Sequence, residues 1–395
     1  MKNPLLLAFT ALIFTGILSG CNTASNMSRE VPGWFNTDKA SGMRPASPAA
    51  TMEPESVTGS EAQANTGGPA KVALLLPLSG DKASLGKSFL DAAQMAVMDV
   101  GGKGFELLPK DTKSDAVSAE QAAREAVMSG AQLIIGPVFS NMVPGAKNGS
   151  NGIPVISLSN DWNMAGGNVY VMGFNPVEQV QRIAEFAHGR GVQNVAVLIP
   201  ASSYGELVEN TLHRSSLNIV MVQKYQKNRE SIDAAVAAVA ARANDIQGLV
   251  IPEGGAALAG IAEALFKNKI TGKTMPMFGT GLWDDEDISR SVALLGGFYP
   301  ASNPAARNRF MDRFQATQGY RPVRLATLAY DATALAAALA ARGDGFHSGS
   351  IESANGFKGM DGVFRFDNNI ATRALAVMEV TSRGSRVAEP AATGF

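Results

Sequence analysis

The groups that could do chemistry in this sequence are few, and their spacing limits what they could do. There are three histidines, His188, His213 and His347. His188 precedes Gly189 where a helix should end, a place where a cation favours the dipole and glycine supplies the cap. His213 sits beside Arg214 in a polar stretch, and His347 lies in a Gly/Ser loop, so neither has neighbours at triad or zinc spacing. The run Asp284-Asp285-Glu286-Asp287 reads as a solvated helix start rather than a cation site. No G-x-S-x-G elbow and no phosphate-cradling P-loop occurs. This inventory implies a protein that is not an enzyme, with no cofactor and no metal.

What does recur is a short polar loop after each apolar run. These loops are Ser79-Gly80, Ser140-Asn141, Ser157 with Ser159-Asn160, Ser202-Ser203-Tyr204, Gly254-Gly255 and Gly279-Thr280-Gly281. Any one of them is better explained as an ordinary helix cap. Repeated at the same edge of two parallel sheets, they would place backbone N–H groups, helix N-termini and short hydroxyls outside the strand ends, where open α/β sheets bind ligands. The implied chemistry is binding.

The elements needed to position such loops are present from Lys71 onward. Short apolar runs alternate with Ala-rich segments of helical period, which predicts strand–helix alternation. The predicted strands are Val72–Leu76, Leu133–Ile135, Val155–Leu158, Val195–Ile199, Leu249–Ile251 and Met275–Phe278. They are apolar throughout, as parallel strands buried on both faces must be. The clearest helices are Gly86–Val100, Ile232–Ala243, Ala256–Phe266 and Leu325–Arg342, and further strands are expected at Gly362–Phe366 and Ala374–Val380. Two parallel-sheet units of similar design follow, plus a C-terminal part that two sequential halves alone would not need. With 34 basic and 35 acidic residues and no basic run, nucleic acid is not an expected partner.

The N-terminus has the order of an export signal: Lys2, an apolar run from Leu5 to Leu18, then small residues before Cys21. The run is shorter than the roughly 20 residues a membrane-crossing helix needs. Leu18-Ser19-Gly20-Cys21 resembles a bacterial lipobox, whose cysteine is lipidated and becomes the first residue of the mature chain. Cys21 is also the sole cysteine, so no internal disulfide can form. Asn22 in the next position resembles outer-membrane rather than inner-membrane lipoproteins. From Asn22 to about Pro69 the composition is that of a disordered tether, with a coil reach of roughly 35–40 Å. Trp34-Phe35 is an isolated aromatic pair within it. The expected address is the bacterial cell envelope, on the periplasmic side of the outer membrane.

Several motifs also carry a family resemblance. They are Val72-Ala73-Leu74-Leu75-Leu76-Pro77-Leu78-Ser79-Gly80, Ile135-Gly136-Pro137, Ile153-Pro154-Val155-Ile156-Ser157, Tyr204-Gly205 and Tyr330-Asp331-Ala332. From Lys71 to about Val380 the chain resembles the type I periplasmic solute-binding proteins, in the leucine/isoleucine/valine-binding-like branch. Ile134-Ile135-Gly136-Pro137-Val138-Phe139-Ser140 and Gly279-Thr280-Gly281-Leu282-Trp283-Asp284-Asp285 are also similar to a lipoprotein subgroup named penicillin-binding-protein activators.

The resemblance implies an α/β fold of two doubly wound parallel-sheet lobes joined by a three-crossover hinge. Signal peptide 1–20 and linker 21–70 would precede them. Residues 71–173 with 303–350 would form the first lobe, 174–302 with 351–382 the second, and 383–395 a tail. It further implies a cleft faced by Ser79, Ser140, Ser159, Asn160 and Asp161 on one side and by Tyr204, Gly255, Gly281 and Trp283 on the other. Amino-acid binders of the family often have a threonine where Asp161 stands and an acidic group where Gly281 stands, with Asp284 only nearby. A branched-chain amino acid is therefore disfavoured, because an unpartnered buried ligand charge costs several kcal/mol. The expected function is a lipid-anchored receptor for a small polar ligand, such as an amino acid or peptide-like molecule, working with an ABC permease or in sensing. The alternative is a regulator that contacts a peptidoglycan synthase.

Overall fold

The computed structural model describes residues 68–102, 104–302 and 304–394. The expected signal peptide, the expected lipidation site Cys21 and the expected tether residues 22–67 lie outside the described residues. The first strand begins at Ala70, inside the expected linker.

Chain order is β1 (Ala70–Leu76), α1 (Ala83–Ala96), β2 (Phe105–Asp111), α2 (Ala116–Met128), β3 (Leu133–Ile135), α3 (Val143–Gly149), β4 (Val155–Ser157) and β5 (Val169–Val171). A second series follows: α4 (Pro176–Gly189), β6 (Asn194–Pro200), α5 (Ser203–Leu212), β7 (Asn218–Tyr225), α6 (Arg229–Ala241), β8 (Gly248–Ile251), α7 (Gly255–Lys267), β9 (Met277–Gly279) and β10 (Phe298–Ala301). The remainder is α8 (Pro304–Gln318), α9 (Ala326–Arg342), α10 (Ser348–Ile351), β11 (Phe357–Gly359), β12 (Gly362–Asp367), β13 (Ile370–Arg373), β14 (Ala376–Thr381) and β15 (Gly384–Glu389).

Two sheets result. One has the order β11-β12-β13-β5-β4-β3-β1-β2 and the other β15-β14-β10-β9-β8-β6-β7. Their parallel portions, β2-β1-β3-β4-β5 and β7-β6-β8-β9-β10, repeat one doubly wound order. The chain therefore folds as two α/β lobes. Strand β1 is fully buried from Val72 to Leu76, which explains its unbroken apolar run. Strand β2 escaped the sequence pattern because it is a half-buried edge strand interrupted by Pro109, a residue tolerated at sheet edges. Strand β7 is likewise a half-buried edge with Lys224 exposed.

Pairing of the last strands corrects the expected division. Residues 351–382 were assigned together to the second lobe, yet β13 runs parallel to β5 through Ile370 and Val171, and β11, β12 and β13 pair antiparallel with one another. That hairpin set closes the free edge of the first sheet. Only β14 joins the second, antiparallel to β10, and β15 adds antiparallel to β14, so 384–389 is strand rather than tail. Alternating strands suit the edge of either sheet, so their pattern does not choose between lobes.

Each lobe has its own core. Leu74, Leu76, Phe89, Ile135 and Phe364 centre the first, and α9 is buried at every position from Ala326 to Ala337. Its many alanines let α1 pack closely along it. The second core gathers Leu249, Ile251, Trp283 and Tyr299.

Candidate binding site between the lobes

Three crossovers connect the sheets: β5 to α4 through Met172–Asn175, β10 to α8 through Ser302, and β13 to β14 through Ala374 and Leu375. Gly173 is required at the first of these. A side chain there would run into the backbone carbonyl of Ser159, to which Gly173 N–H donates at 2.9 Å. Arg373, almost fully buried, ties two crossovers together by donating from Nη2 to the Met172 carbonyl at 2.6 Å and from Nη1 to that of Gly173 at 3.3 Å. Its backbone N–H donates to the Glu178 carboxylate at 2.6 Å.

Beside these crossovers lies a pocket of about 370 Å³. Asn160, Arg324 and Leu325 line it from the first lobe. Gln179, Tyr204, Gly281, Leu282 and Asp284 line it from the second, with Phe174, Ser302 and Leu375 contributed by the crossovers. Gln179 Oε1 accepts the Gly281 N–H at 2.9 Å, and Tyr204 OH pairs with Thr280 Oγ1 at 3.0 Å. Burial pushes the Tyr204 phenol up to about 12, so the phenol stays neutral.

Charges cross the cleft at Asp284. Its carboxylate, on a second-lobe loop, takes both terminal nitrogens of Arg307 on α8, and Arg324 Nε stands 3.6 Å away. Arg324 also donates from Nη2 to Asp361 at 2.8 Å. Arg324 and Arg373 each hold a guanidinium 4.8 Å from the Phe174 ring centroid, a cation–π arrangement on a residue of the first crossover. Burial pushes the fully enclosed Asp361 up, but Arg324 beside it leaves its carboxyl below the usual range. Nearby Asp331 is pushed up to about 7 by burial and by the Asp361 charge; it accepts the Met360 N–H at 2.8 Å, while its Oδ2 has no hydrogen-bond partner. Burial likewise pushes Glu178 up to about 7.

Of the nine cleft residues expected from sequence, Asn160, Tyr204 and Gly281 line the pocket. Trp283 does not, and the expectation that it faces the cleft is corrected. It is fully buried, donates from Nε1 to the Ile251 carbonyl at 3.0 Å, and packs over Gly279, where a side chain would collide with its ring. An aromatic next to a polar loop looks like a ligand platform, but here the short turn Gly281–Trp283 points it inward.

Of the other five, Ser159 and Asp161 are spent on their own loop, and the other three lie elsewhere. Ser159 is buried and accepts the Asp161 N–H, while Asp161 turns back onto Asn163 at 3.1 Å and caps a short turn. Ser140 opens the 3-10 turn that leads into α3. Exposed Ser79 bonds the Asp111 carboxylate. Gly255 begins α7 at φ +55°. None of these five lines the pocket. Sequence reasoning missed Arg324, Arg307, Phe174 and Gln179. A single arginine just before a predicted helix carries no local signal when its partners lie 40 and 37 positions away, at Asp284 and Asp361.

Two α/β lobes joined by three crossovers, with a pocket between them, define a two-lobed binding protein. The profile described as periplasmic binding protein matches residues 69–385, and the chain belongs to that family. Its fold is shared with solved structures described as leucine- and branched-chain amino-acid-binding proteins. A branched-chain amino acid ABC transporter periplasmic ligand-binding protein from Burkholderia xenovorans is similar in structure, with TM-score 0.65 and 19% identity over 80% of this chain and 94% of that one. So are LivJ of Streptococcus pneumoniae in complex with isoleucine (TM-score 0.57, 21% identity, 82% and 100% covered) and a Rhodopseudomonas palustris solute-binding protein in complex with benzoate (TM-score 0.57, 19%, 83% and 98%). Among curated sequences, an uncharacterized protein of Rickettsia prowazekii is 26% identical over 172 residues, which is 42% of this chain and 46% of that protein's length.

Proposed function

We propose that this protein is an extracytoplasmic, lipid-anchored receptor that holds a small ligand between its lobes and serves ABC-type transport or sensing, without catalysis. The observation that carries this reading is the 370 Å³ pocket at the crossovers, lined by both lobes, so that hinge motion and ligand contact are mechanically coupled. Similar folds hold isoleucine and benzoate, molecules of a size such a pocket accommodates. Leu18-Ser19-Gly20-Cys21 and Asn22 support the anchor and the outer-membrane address. A thermal-shift screen of amino acids, small amides and small carboxylates, followed by titration calorimetry, tests the receptor reading. The expected result is a saturable rise in Tm with at least one class, and absence of any shift across the panel refutes it.

A second reading, a regulator that contacts a peptidoglycan synthase, is favoured by one feature. The lobes are bridged by the protein's own charges at Asp284, Arg307 and Arg324, so internal ion pairs hold a two-lobed surface together. Pull-down from an envelope extract separates the two readings, because recovery of a permease and no synthase counts against the regulator.

A further inference from the structure

Several charged side chains gather at the crossover end of the pocket. Arg307, Arg324 and Arg373 converge there, and the carboxylates that face a guanidinium directly are Asp284 and Asp361. Arg373 spends its terminal nitrogens on backbone carbonyls. The two remaining acids, Glu178 and Asp331, accept backbone N–H groups, and burial moves both toward the neutral form.

Acceptors for a ligand cation are engaged elsewhere. Asp284 is held by both terminal nitrogens of Arg307. Glu253, at the end of β8, takes the Tyr225 hydroxyl at 2.8 Å and Lys227 Nζ at 3.0 Å. Asp161 is folded onto Asn163. An ammonium entering the pocket would meet no uncommitted carboxylate. Arg324 lines the pocket with its side chain 35% exposed; its terminal nitrogens are on Asp361 and Thr327, and its Nε, 3.6 Å from Asp284 and beyond ordinary hydrogen-bond length, is the donor left for an anion. Around it stand Phe174, Leu282, Leu325 and Leu375, an apolar setting for the rest of a ligand.

We propose that the pocket selects small carboxylates that lack an ammonium group, with Arg324 receiving the carboxylate and Phe174, Leu282 and Leu325 enclosing the apolar body. The proposal deepens the receptor reading of the same pocket and rests on it.

Calorimetric titration of the purified protein with two matched pairs tests it. 4-Methylpentanoate and leucine share a skeleton and differ by the amino group; benzoate and benzamide share a shape and differ in charge. Each carboxylate should bind about tenfold or more tighter than its partner, the discrimination expected of one charge-assisted contact. Arg324→Lys keeps a cation beside Asp361 but loses the planar fork, and should weaken both carboxylates about tenfold. Arg324→Gln should weaken them further, with circular dichroism checking that each variant is folded. Leucine binding as tightly as 4-methylpentanoate, benzamide as tightly as benzoate, or a folded Arg324 variant binding carboxylates like the parent would each overturn the proposal. If none of the four binds, the proposal also fails, and the broader panel described above decides separately whether the receptor reading survives.

Discussion

Replacing Trp283 by alanine should unfold the second lobe at a markedly lower temperature, rather than merely blunt ligand binding. The indole is fully buried among Ile251, Tyr299 and the backbone of Gly279 and Gly297. Truncating a buried Trp to Ala costs about 3–5 kcal/mol through lost burial and the cavity left behind. The Ile251 carbonyl also loses its donor, adding roughly 1 kcal/mol. For a cooperative unit of this size, where 1 kcal/mol moves Tm by about 2–4 °C, the midpoint should fall by roughly 8–24 °C. Trp283→Phe keeps most of the apolar volume and loses the N–H bond, so it should fall between parent and Trp283→Ala. Differential scanning calorimetry of the three proteins gives the order directly. A Trp283→Ala midpoint within about 2 °C of the parent would mean the ring is not a core element, and its assignment to the interior would have to be abandoned.

Three other outcomes are expected. Asp284→Asn removes the charge that bridges Arg307 and Arg324, so small-angle scattering should show a larger radius of gyration as the lobes separate, and an unchanged profile would deny the bridge that role. Tyr204→Phe deletes the bond to Thr280 and should cost about 1 kcal/mol in stability while leaving the fold intact, as read by urea denaturation. Glu178 has a folded pKa of about 7, above its unfolded value, so the folded state binds more protons between these values. Its contribution is therefore fully present below the unfolded pKa and is lost as pH rises through about 7, an effect of at most about 3 kcal/mol. Glu178→Gln should flatten that part of the stability–pH curve, and an identical slope in both proteins would contradict the assignment.

The elements that are buried on both faces could be read from the sequence, and those at edges could not. Val72–Leu76 and Leu249–Ile251 are apolar without interruption because neither face meets water. Strands β2 and β7 mix lysine, proline and apolar residues because they close sheet edges, and so give no clean period. The polar loops were identifiable for the same reason that strands stop there, yet most of their hydroxyls and carboxylates turned out to serve the loops themselves, as at Ser159 and Asp161. The pocket's charged residues were invisible because ion pairing is a property of folded distance. Asp284 looked like a solvated helix start, and only the approach of Arg307 and Arg324 from the other lobe changes its meaning.

The path of the chain also bears on how the protein must be made. The first sheet is complete only when β13, ending at Arg373, has docked on β5, and the second only when β14 and β15, up to Glu389, have reached β10. A pairing such as β13 on β5, which spans some 200 positions, makes loop closure slow and leaves strand edges unpaired while the polypeptide is still emerging. Neither half can be excised as a consecutive stretch with its sheet entire. A chain of this topology completes neither sheet until nearly all of it is available, and variants cut after Arg373, which lack β14 and β15, should be cleared by proteases rather than persist with a working second lobe.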